Sequence, residues 1–199
     1  MKLQLLLKNQ MDFWVSLAGL IILSPLFLIV AVLIKINSPG TVFFRQERMG
    51  LGGRIFKIIK FRTMKMGAEN APLSVAEIRK MEADGNDPRV TGIGRFLRKF
   101  EIDEAPQLIN ILRGEMSFVG PRPFNLHRIE SNVLLKERAS VKPGLTSLAF
   151  VMGDLNLSDK EILKYDLEYI EKNNLWLDFK VLFKTIFFIL SGRSLSKKK

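Results

Sequence analysis

The sequence predicts a mainly helical α+β protein that carries a membrane-inserted helix and a small β-hairpin. Three observations support this fold class. The first is a pairing of charge with apolar character: 31 Lys and Arg against 20 Asp and Glu give a net charge of +11, yet the mean hydropathy is slightly positive. The second is a long uncharged run near the N-terminus, and the third is a pair of β-rich runs separated by glycines.

Composition limits the chemistry. A chain of 199 residues is long enough for one domain with appendages, and its large apolar residues argue against intrinsic disorder. With no cysteine, disulfides, thiolate zinc sites, iron–sulfur clusters and cysteine nucleophiles are excluded. Because His127 is the single histidine, a two-histidine metal site within one chain is excluded. Only His127 could serve as the histidine of a Ser-His-Asp triad.

The uncharged run extends over 22 residues, from Phe13 to Ile34. A helix of that length measures about 33 Å, close to the ~30 Å hydrocarbon core of a bilayer. The run is too long for a signal peptide, and no small-residue cleavage site follows it. We therefore predict a membrane helix in residues 1–36.

Ser24 and Pro25 lie at the middle of this run. Proline removes a backbone donor and kinks a helix, and a serine hydroxyl can bond to a carbonyl that is freed nearby. Two geometries remain open at this stage. Either a kinked helix crosses the bilayer, or the helix is re-entrant, with two half-helices that enter and return on one side.

The flanking charges favour the re-entrant form. Lys2 and Lys8 precede the run, and residues 35–65 contain eight basic residues against one acidic residue. Positive flanks prefer the cytoplasmic face, and here both ends are positive. Residues 37–175 are then expected to form a cytoplasmic catalytic domain.

A β-hairpin is predicted between Thr41 and Met64, with β-rich runs at 42–44 and 55–61 and turn residues at 49–53. Lys60 and Arg62 are two apart and should share one face of the second strand. The glycines form no dinucleotide-binding fingerprint. Short helices are predicted from Thr91 to Phe100 and after Ile102, ending at Gly114.

Residues 176–199 form a C-terminal segment rich in large apolar side chains, which ends in three lysines. At about 15 residues, its apolar part is too short to span a bilayer and suits an amphipathic helix in the membrane interface. A helix packed on the core of the domain is the alternative.

Asp103 and Glu104 lie where a helix begins, and two interpretations apply. Asp103 could cap the helix, with Glu104 as a first-turn acid. Alternatively, the same helix start could hold a phosphate, with the carboxylates acting as nucleophile and Mg²⁺ ligand.

Basic residues surround this pair in the sequence. The candidate phosphate-binding residues are Lys60, Arg62, Arg89, Arg98 and Arg122, the last flanked by Pro121 and Pro123. The prolines fix the backbone on both sides of Arg122, and a guanidinium matches phosphate oxygens. A solvated basic face or attraction to anionic lipid would also explain such clusters. No nucleic-acid motif is present, so no nucleic-acid partner is expected.

The chain resembles the bacterial sugar transferase family, the monotopic phosphoglycosyl transferases, in their small form, which lacks an additional N-terminal transmembrane bundle. The resemblance covers nearly the whole chain. It rests on these segments in this order: Ser24-Pro25, Gln46 with Arg48, Lys60-Phe-Arg-Thr-Met64, Asp87-Pro-Arg89, Thr91-Gly-Ile-Gly94, Leu97-Arg98, Asp103-Glu104 with Pro106-Gln-Leu108, Gly114 to Pro123, Lys142-Pro-Gly-Leu-Thr146 and Leu177-Asp178.

The resemblance implies transfer of a phosphosugar from a UDP-sugar to a polyprenol phosphate, most simply undecaprenyl phosphate, with release of UMP. It implies that Asp103 attacks the β-phosphate to form an aspartyl-phosphosugar. Glu104 would bind Mg²⁺, with Asp103 as a second candidate ligand, while Lys60, Arg98 and Arg122 hold phosphate oxygens. It also implies the bacterial inner membrane, with the catalytic domain on the cytoplasmic face, as the first membrane step of a surface glycan or glycoconjugate pathway.

Three positions depart from the family pattern: Glu101 replaces serine, while Phe150 and Met152 replace polar residues. The sugar, the glycan pathway and the oligomeric state are not fixed by the sequence, and a homodimer or later glycosyltransferases of the pathway are candidate partners. A different class of function is a non-catalytic basic membrane adaptor that binds anionic lipid or a partner protein. That adaptor would tolerate substitution of Asp103 and Glu104.

Overall fold

The computed structural model describes residues 2–68, 77, 81, 87–125, 137–153 and 157–190. Most of them are helical, as predicted. The α-helices are α1 Lys2–Asn37, α2 Gly92–Lys99, α3 Leu108–Leu112, α4 Leu148–Gly153, α5 Asp159–Lys172 and α6 Leu175–Leu190. The strands are β1 Phe43–Met49, β2 Ile55–Phe61, β3 Ser117–Val119, β4 Phe124–Asn125 and β5 Gly144–Thr146.

Helix α1 contains the predicted apolar run and continues through Pro25 as one 36-residue element. The Ser24 hydroxyl donates to the Ile21 carbonyl at 2.8 Å. That carbonyl lies four residues before Pro25, so it is the acceptor left without a backbone donor by the missing proline N–H. Among the helices that the structure describes, α1 alone is long and apolar enough to cross a membrane, judged by length and composition.

One side of α1 packs against the rest of the protein on both sides of Pro25. Before the proline, Leu20 and Leu23 contact a buried cluster around Leu108 and Ile111. After it, Val30 and Ile34 are buried with Phe61 and Leu97. Large apolar side chains on the other side of α1, such as Ile22 and Leu28, are exposed.

The β-hairpin is present, with an antiparallel register that pairs Phe43 with Phe61 and Met49 with Ile55. Its first strand extends five residues past the predicted end at Phe44. The sequence after Phe44 is polar, but it still pairs with β2 as one side of the hairpin. Strand β4 pairs with the other edge of β1, which makes a three-stranded sheet.

A second, parallel pair joins β3 to β5 and was not predicted. The two strands have three residues each, too few to give a periodic pattern. The backbone segments at Gly120 and Gly144 approach closely beside this pair. A Cβ on Gly144 would lie 2.1 Å from the Gly120 nitrogen. A side chain at Gly144 would therefore force the two segments apart.

The C-terminal helices cover this parallel pair. Helix α5 begins with the capping box formed by Ser158 and Glu161. Tyr169 of α5, Val181 of α6 and Val119 of β3 form a buried cluster. Helix α6 thus packs on the core through one face, and its other face exposes large apolar side chains: Trp176, Phe179, Phe183, Ile186 and Phe187. The terminal lysines lie outside the described residues.

A buried polar group connects the first helix to the last. Lys8 Nζ donates to Asp178 Oδ2 at 2.6 Å and to the Val119 carbonyl at 3.1 Å. The Tyr169 hydroxyl donates to the other Asp178 oxygen at 2.7 Å. Burial, together with the neighbouring Asp178 carboxylate, raises the pKa of Tyr169, so its hydroxyl keeps its proton.

Candidate active site

Asp103 and Glu104 lie on a 3₁₀-helix, Ile102–Gln107, that leads directly into α3. The residue at the start of this helix is Glu101, whose φ of 54° is left-handed, and it makes no side-chain cap hydrogen bond. The capping interpretation of Asp103 is therefore wrong. Glu104 is hydrogen-bonded to Lys60 of β2, and the charges of Lys60 and of Arg98 from α2 act on Asp103.

Asp103 is 8% exposed, and its Oδ1 atom is buried without a hydrogen-bond partner. Burial, and next the neighbouring Glu104 charge, raise the pKa of Asp103 to about 6, although Lys60 and Arg98 pull in the opposite direction. An unsatisfied, desolvated carboxylate oxygen next to cations is costly for folding and available for chemistry.

Glu104 is fully engaged by its neighbours. Its Oε1 accepts from Lys60 Nζ at 2.5 Å and from Arg122 at 3.3 Å, and its Oε2 accepts from Gln107 at 3.1 Å. Burial alone would raise the pKa of Glu104, but Lys60 and Arg122 outweigh it and lower the pKa to about 2. Glu104 is therefore ionised at neutral pH, while Asp103 titrates much closer to neutrality.

Arg98 reaches the site from α2. Its Nε donates to the Thr63 hydroxyl at 3.0 Å, and its charge acts on Asp103. Thr91 caps α2 by accepting from the Gly94 N–H at 3.0 Å. Gly94 lets α2 pack directly against the backbone at Thr63. A Cβ at this position would lie 2.1 Å from the Thr63 carbonyl oxygen. This contact sets the position of Arg98.

Arg122 presents an exposed guanidinium between two buried prolines, Pro121 and Pro123. Arg138 also lies here, although its sequence context gave no indication of this position. Arg138 donates to the Arg122 carbonyl at 3.1 Å and pairs with Asp166 at 2.6 Å, both with nearly buried side chains. Arg138 and Asp166 lie in two separate charged segments of the sequence, and no spacing signal joins them.

Two predicted phosphate-binding residues have their charges engaged elsewhere. Arg62 follows the end of β2, so strand alternation does not keep it beside Lys60. It is 5% exposed and donates to the carbonyls of Ser38 and Pro39, which closes the connection from α1 to β1. Arg89 forms a double contact with Asp87 and lowers the pKa of that carboxyl through this hydrogen bond.

The departures from the family pattern also have defined positions. Burial, followed by the charges of Glu104 and Asp103, raises the pKa of Glu101 to about 8, so Glu101 keeps its proton at neutral pH. A protonated Glu101 adds no negative charge to the site. Phe150 is buried against Phe188, whereas Met152 is exposed on α4.

The arrangement defines a class of site: a buried carboxylate, an ionised second carboxylate and three converging cations, in a protein built along an apolar helix. Such a site suits phosphate groups that are handled next to a membrane. The chain belongs to the bacterial sugar transferase family, whose model matches residues 3–192.

Three relatives illustrate the match. The chain is 39% identical to the UDP-glucose:undecaprenyl-phosphate glucose-1-phosphate transferase of Escherichia coli K12, over 92% of this chain and 40% of that protein. It is 38% identical to the exopolysaccharide production protein ExoY of Rhizobium meliloti, over 90% of this chain and 83% of ExoY. It is 39% identical to an Aeromonas hydrophila UDP-N-acetylgalactosamine-undecaprenyl-phosphate N-acetylgalactosaminephosphotransferase, over 94% of this chain and 44% of that protein. The chain thus spans less than half the length of two of these relatives.

Proposed function

We propose that this protein transfers a phosphosugar from a UDP-sugar to undecaprenyl phosphate or a related polyprenol phosphate. The reaction releases UMP and forms a polyprenyl-diphosphate sugar, the first membrane step of a bacterial surface glycan. The unpartnered, buried Oδ1 of Asp103 carries the proposal, because it lies beside the cations a diphosphate needs. The names of the Escherichia coli and Aeromonas hydrophila relatives support both substrate classes.

The transfer proceeds in two displacements. A carboxylate oxygen of Asp103 attacks the β-phosphorus of the UDP-sugar, the bond to the bridging oxygen breaks, and UMP leaves with that oxygen. An oxygen of the polyprenol phosphate then attacks the same phosphorus and displaces the Asp103 carboxylate. Neither step needs a general base, because the nucleophile is the ionised Asp103 carboxylate in the first step and an ionised phosphate oxygen in the second.

The cations position and neutralise the phosphates. Lys60 and Arg122 already converge on Glu104 Oε1, and Arg98 acts on Asp103 from the other side. Fixed cations of this kind stabilise the charge that develops in phosphoryl transfer. Arg89 pairs with Asp87, so these three cations are the ones assigned to the phosphates.

The donor set fits Mg²⁺ bound largely through substrate. Within the described residues, no group of three acidic or histidine side chains is arranged to hold a metal ion. Mg²⁺ commonly uses one or two carboxylates and completes its shell with phosphate oxygens and water. Glu104, with Oδ1 of Asp103 as the second candidate, would hold it, and it would neutralise the diphosphate.

We also propose the re-entrant geometry for residues 1–36. Contacts with the rest of the protein occur at Leu20 and Leu23 before Pro25 and at Val30 and Ile34 after it. A domain that contacts both halves of the helix is difficult to reconcile with ends on opposite sides of a bilayer. The exposed apolar face of α6 would lie in the interface on the same, cytoplasmic side of the inner membrane.

Topology is testable because the chain has no cysteine. Single cysteines at Lys2 and at Lys35 are labelled with a membrane-impermeant reagent in spheroplasts and in inverted vesicles. Labelling of both positions only in inverted vesicles supports the re-entrant form. Labelling of one position from each side contradicts it.

The function is tested by a donor screen. Purified protein in lipid nanodiscs receives Mg²⁺, undecaprenyl phosphate and each of a panel of UDP-sugars, and UMP release is measured. At least one donor is expected to give turnover, and Asp103→Asn should abolish it while circular dichroism stays unchanged. The adaptor alternative expects no UMP with any donor, and near-normal turnover by Asp103→Asn removes the nucleophile assignment.

A further inference from the structure

A cleft separate from the carboxylate pair opens between the first turns of α1 and the end of α3. It holds about 780 Å³ of open space. Asn9, Phe13 and Trp14 form one wall, Arg113 lies on the other, and Lys142 reaches in from the loop before β5. None of these residues has a part in the transfer proposed above.

Lys142 is a half-buried cation, and few protein groups replace the solvation that its ammonium group has lost. Its Nζ donates to Asn9 Oδ1 at 2.9 Å, the one hydrogen bond of this ammonium to a described residue, although an ammonium has three donors. Burial lowers the pKa of Lys142, with the nearby Asp12 carboxylate acting against that effect. An anion in the cleft would recover part of the solvation that this side chain has lost.

Arg113 contributes a second cation to the lining of the cleft. Its side chain is exposed and pairs with no acid among the described residues. Lys142 Nζ lies 3.7 Å from where a Cβ on Gly114 would be, immediately after Arg113 in the chain. Asp12 also lines the cleft: its Oδ1 accepts from the Phe118 N–H and its Oδ2 is buried without a hydrogen-bond partner, so the lining carries two cations and one acid.

The position along α1 identifies the kind of anion. The cleft lies where polar residues such as Asn9 give way to the uncharged run that starts at Phe13. Trp14 is 61% exposed and forms an edge contact with Phe13, with ring centroids 5.2 Å apart. Exposed aromatic side chains at a polar–apolar border are typical of the headgroup level of a membrane, and basic pockets there suit lipid phosphates.

We propose that this cleft binds an anionic phospholipid. The headgroup phosphate lies between Arg113 and Lys142, and an acyl chain descends along Phe13 and Trp14. The bound lipid joins the start of α1 to the end of α3, the helix that follows the site carboxylates. The proposal rests on the membrane placement of α1 proposed above and is independent of the transfer chemistry.

The test uses Trp14 as the reporter. The chain has two tryptophans, so Trp176→Phe leaves Trp14 alone. The full chain is placed in phosphatidylcholine vesicles that contain either brominated phosphatidylglycerol or brominated phosphatidylcholine at the same mole fraction. Two cations near the surface should enrich the anionic lipid at least about tenfold, so brominated phosphatidylglycerol should quench Trp14 more strongly.

Charge variants identify the site. Arg113→Gln with Lys142→Gln should remove the preference, and Arg113→Gln alone, at an exposed position, should weaken it even if the double variant folds poorly. Arg45→Gln with Lys57→Gln removes the same charge from the exposed hairpin and should leave the preference intact. Equal loss in this control would reduce the effect to general surface charge and overturn the proposal.

Two further outcomes also overturn it. Quenching that unlabelled undecaprenyl phosphate relieves, and that unlabelled phosphatidylglycerol does not, would make the cleft a site for the acceptor lipid. Absence of quenching by either brominated lipid would show that Trp14 does not reach the membrane. Neither result depends on UMP release, so failure here is distinct from failure of the proposed transferase reaction.

Discussion

Lys60 and Glu104 form an ion pair of 2.5 Å between β2 and the 3₁₀-helix that carries Asp103. The two side chains are 19% and 15% exposed, so the pair is largely removed from water. It holds Lys60 within range of Asp103 and keeps Glu104 ionised. Lys60, together with Arg122, thus lowers the pKa of Glu104, while burial and the Glu104 charge keep the pKa of Asp103 raised despite Lys60.

Replacement of Glu104 by glutamine should lower UMP release at least about 100-fold, the usual cost of removing a charge-stabilising group from such a site. The substitution removes the anion that holds Lys60 and Arg122 together. It also removes a charge that raises the pKa of Asp103, so the acidic limb of the pH–rate profile should move to lower pH. Glu47→Gln, on exposed β1, is the matched control and should leave both measurements unchanged. An unaltered profile in Glu104→Gln would contradict the electrostatic coupling.

Asp103→Asn should stabilise the protein at neutral pH and not at acidic pH. The folded-state pKa of Asp103 is raised from 3.8 to about 6, so between these values the unfolded chain loses a proton that the folded chain keeps. Stability of the parent protein therefore falls as pH rises through this window, by up to about 3 kcal/mol at ~1.4 kcal/mol per pKa unit. Urea unfolding of both proteins without Mg²⁺ or donor measures the difference. A gain that is equal at pH 4 and pH 7 would argue against this origin.

Gly94→Ala should destabilise the protein by about 1–3 kcal/mol, the usual range for overpacking, and should lower turnover. Its Cβ would meet the Thr63 carbonyl oxygen at 2.1 Å and push α2, with Arg98, away from Asp103. Gly92→Ala on the same helix is the control, since nothing lies within 4 Å of its Cβ. Thermal unfolding and UMP release should both separate the two variants. Equal behaviour would mean that the close approach is unimportant.

Asp166→Asn should destabilise the protein by about 3–5 kcal/mol, because it leaves the Arg138 guanidinium buried without its partner carboxylate. Arg138 also holds the Arg122 carbonyl, so variants that still fold should show a raised KM for the UDP-sugar. Arg138→Met combined with Asp166→Leu should recover much of the stability without restoring KM. Recovery of both by this double variant would remove the positioning role of Arg138.

Hydrophobic periodicity and turn residues were sufficient to predict the elements whose residues are near one another in sequence. The apolar run and the hairpin each have a local signal, and the structure contains both. Contacts between distant segments left no such signal. The parallel pairing of β3 with β5 and the Arg138–Asp166 pair depend on how the chain folds back on itself.

The candidate site shows the same division. The helix start made Asp103 and Glu104 candidates, and the family resemblance then favoured a catalytic role over capping. The cations Lys60, Arg98 and Arg122 converge on them. Arg62 was grouped with Lys60 by strand alternation, which no longer applies once β2 ends at Phe61. The predicted run also ends at Phe61, so the alternation was extended one residue past the strand, to a position where it no longer directs the side chain.

The ion pair of Lys8 with Asp178 has a consequence for how the protein is made. Its two members are 170 residues apart, at opposite ends of the described chain. At about 5–20 residues per second, a ribosome completes Asp178 roughly 10–30 s after Lys8. Helix α1 therefore lacks its buried partner during most of synthesis. The nascent protein can complete its tertiary structure only when the last helix emerges.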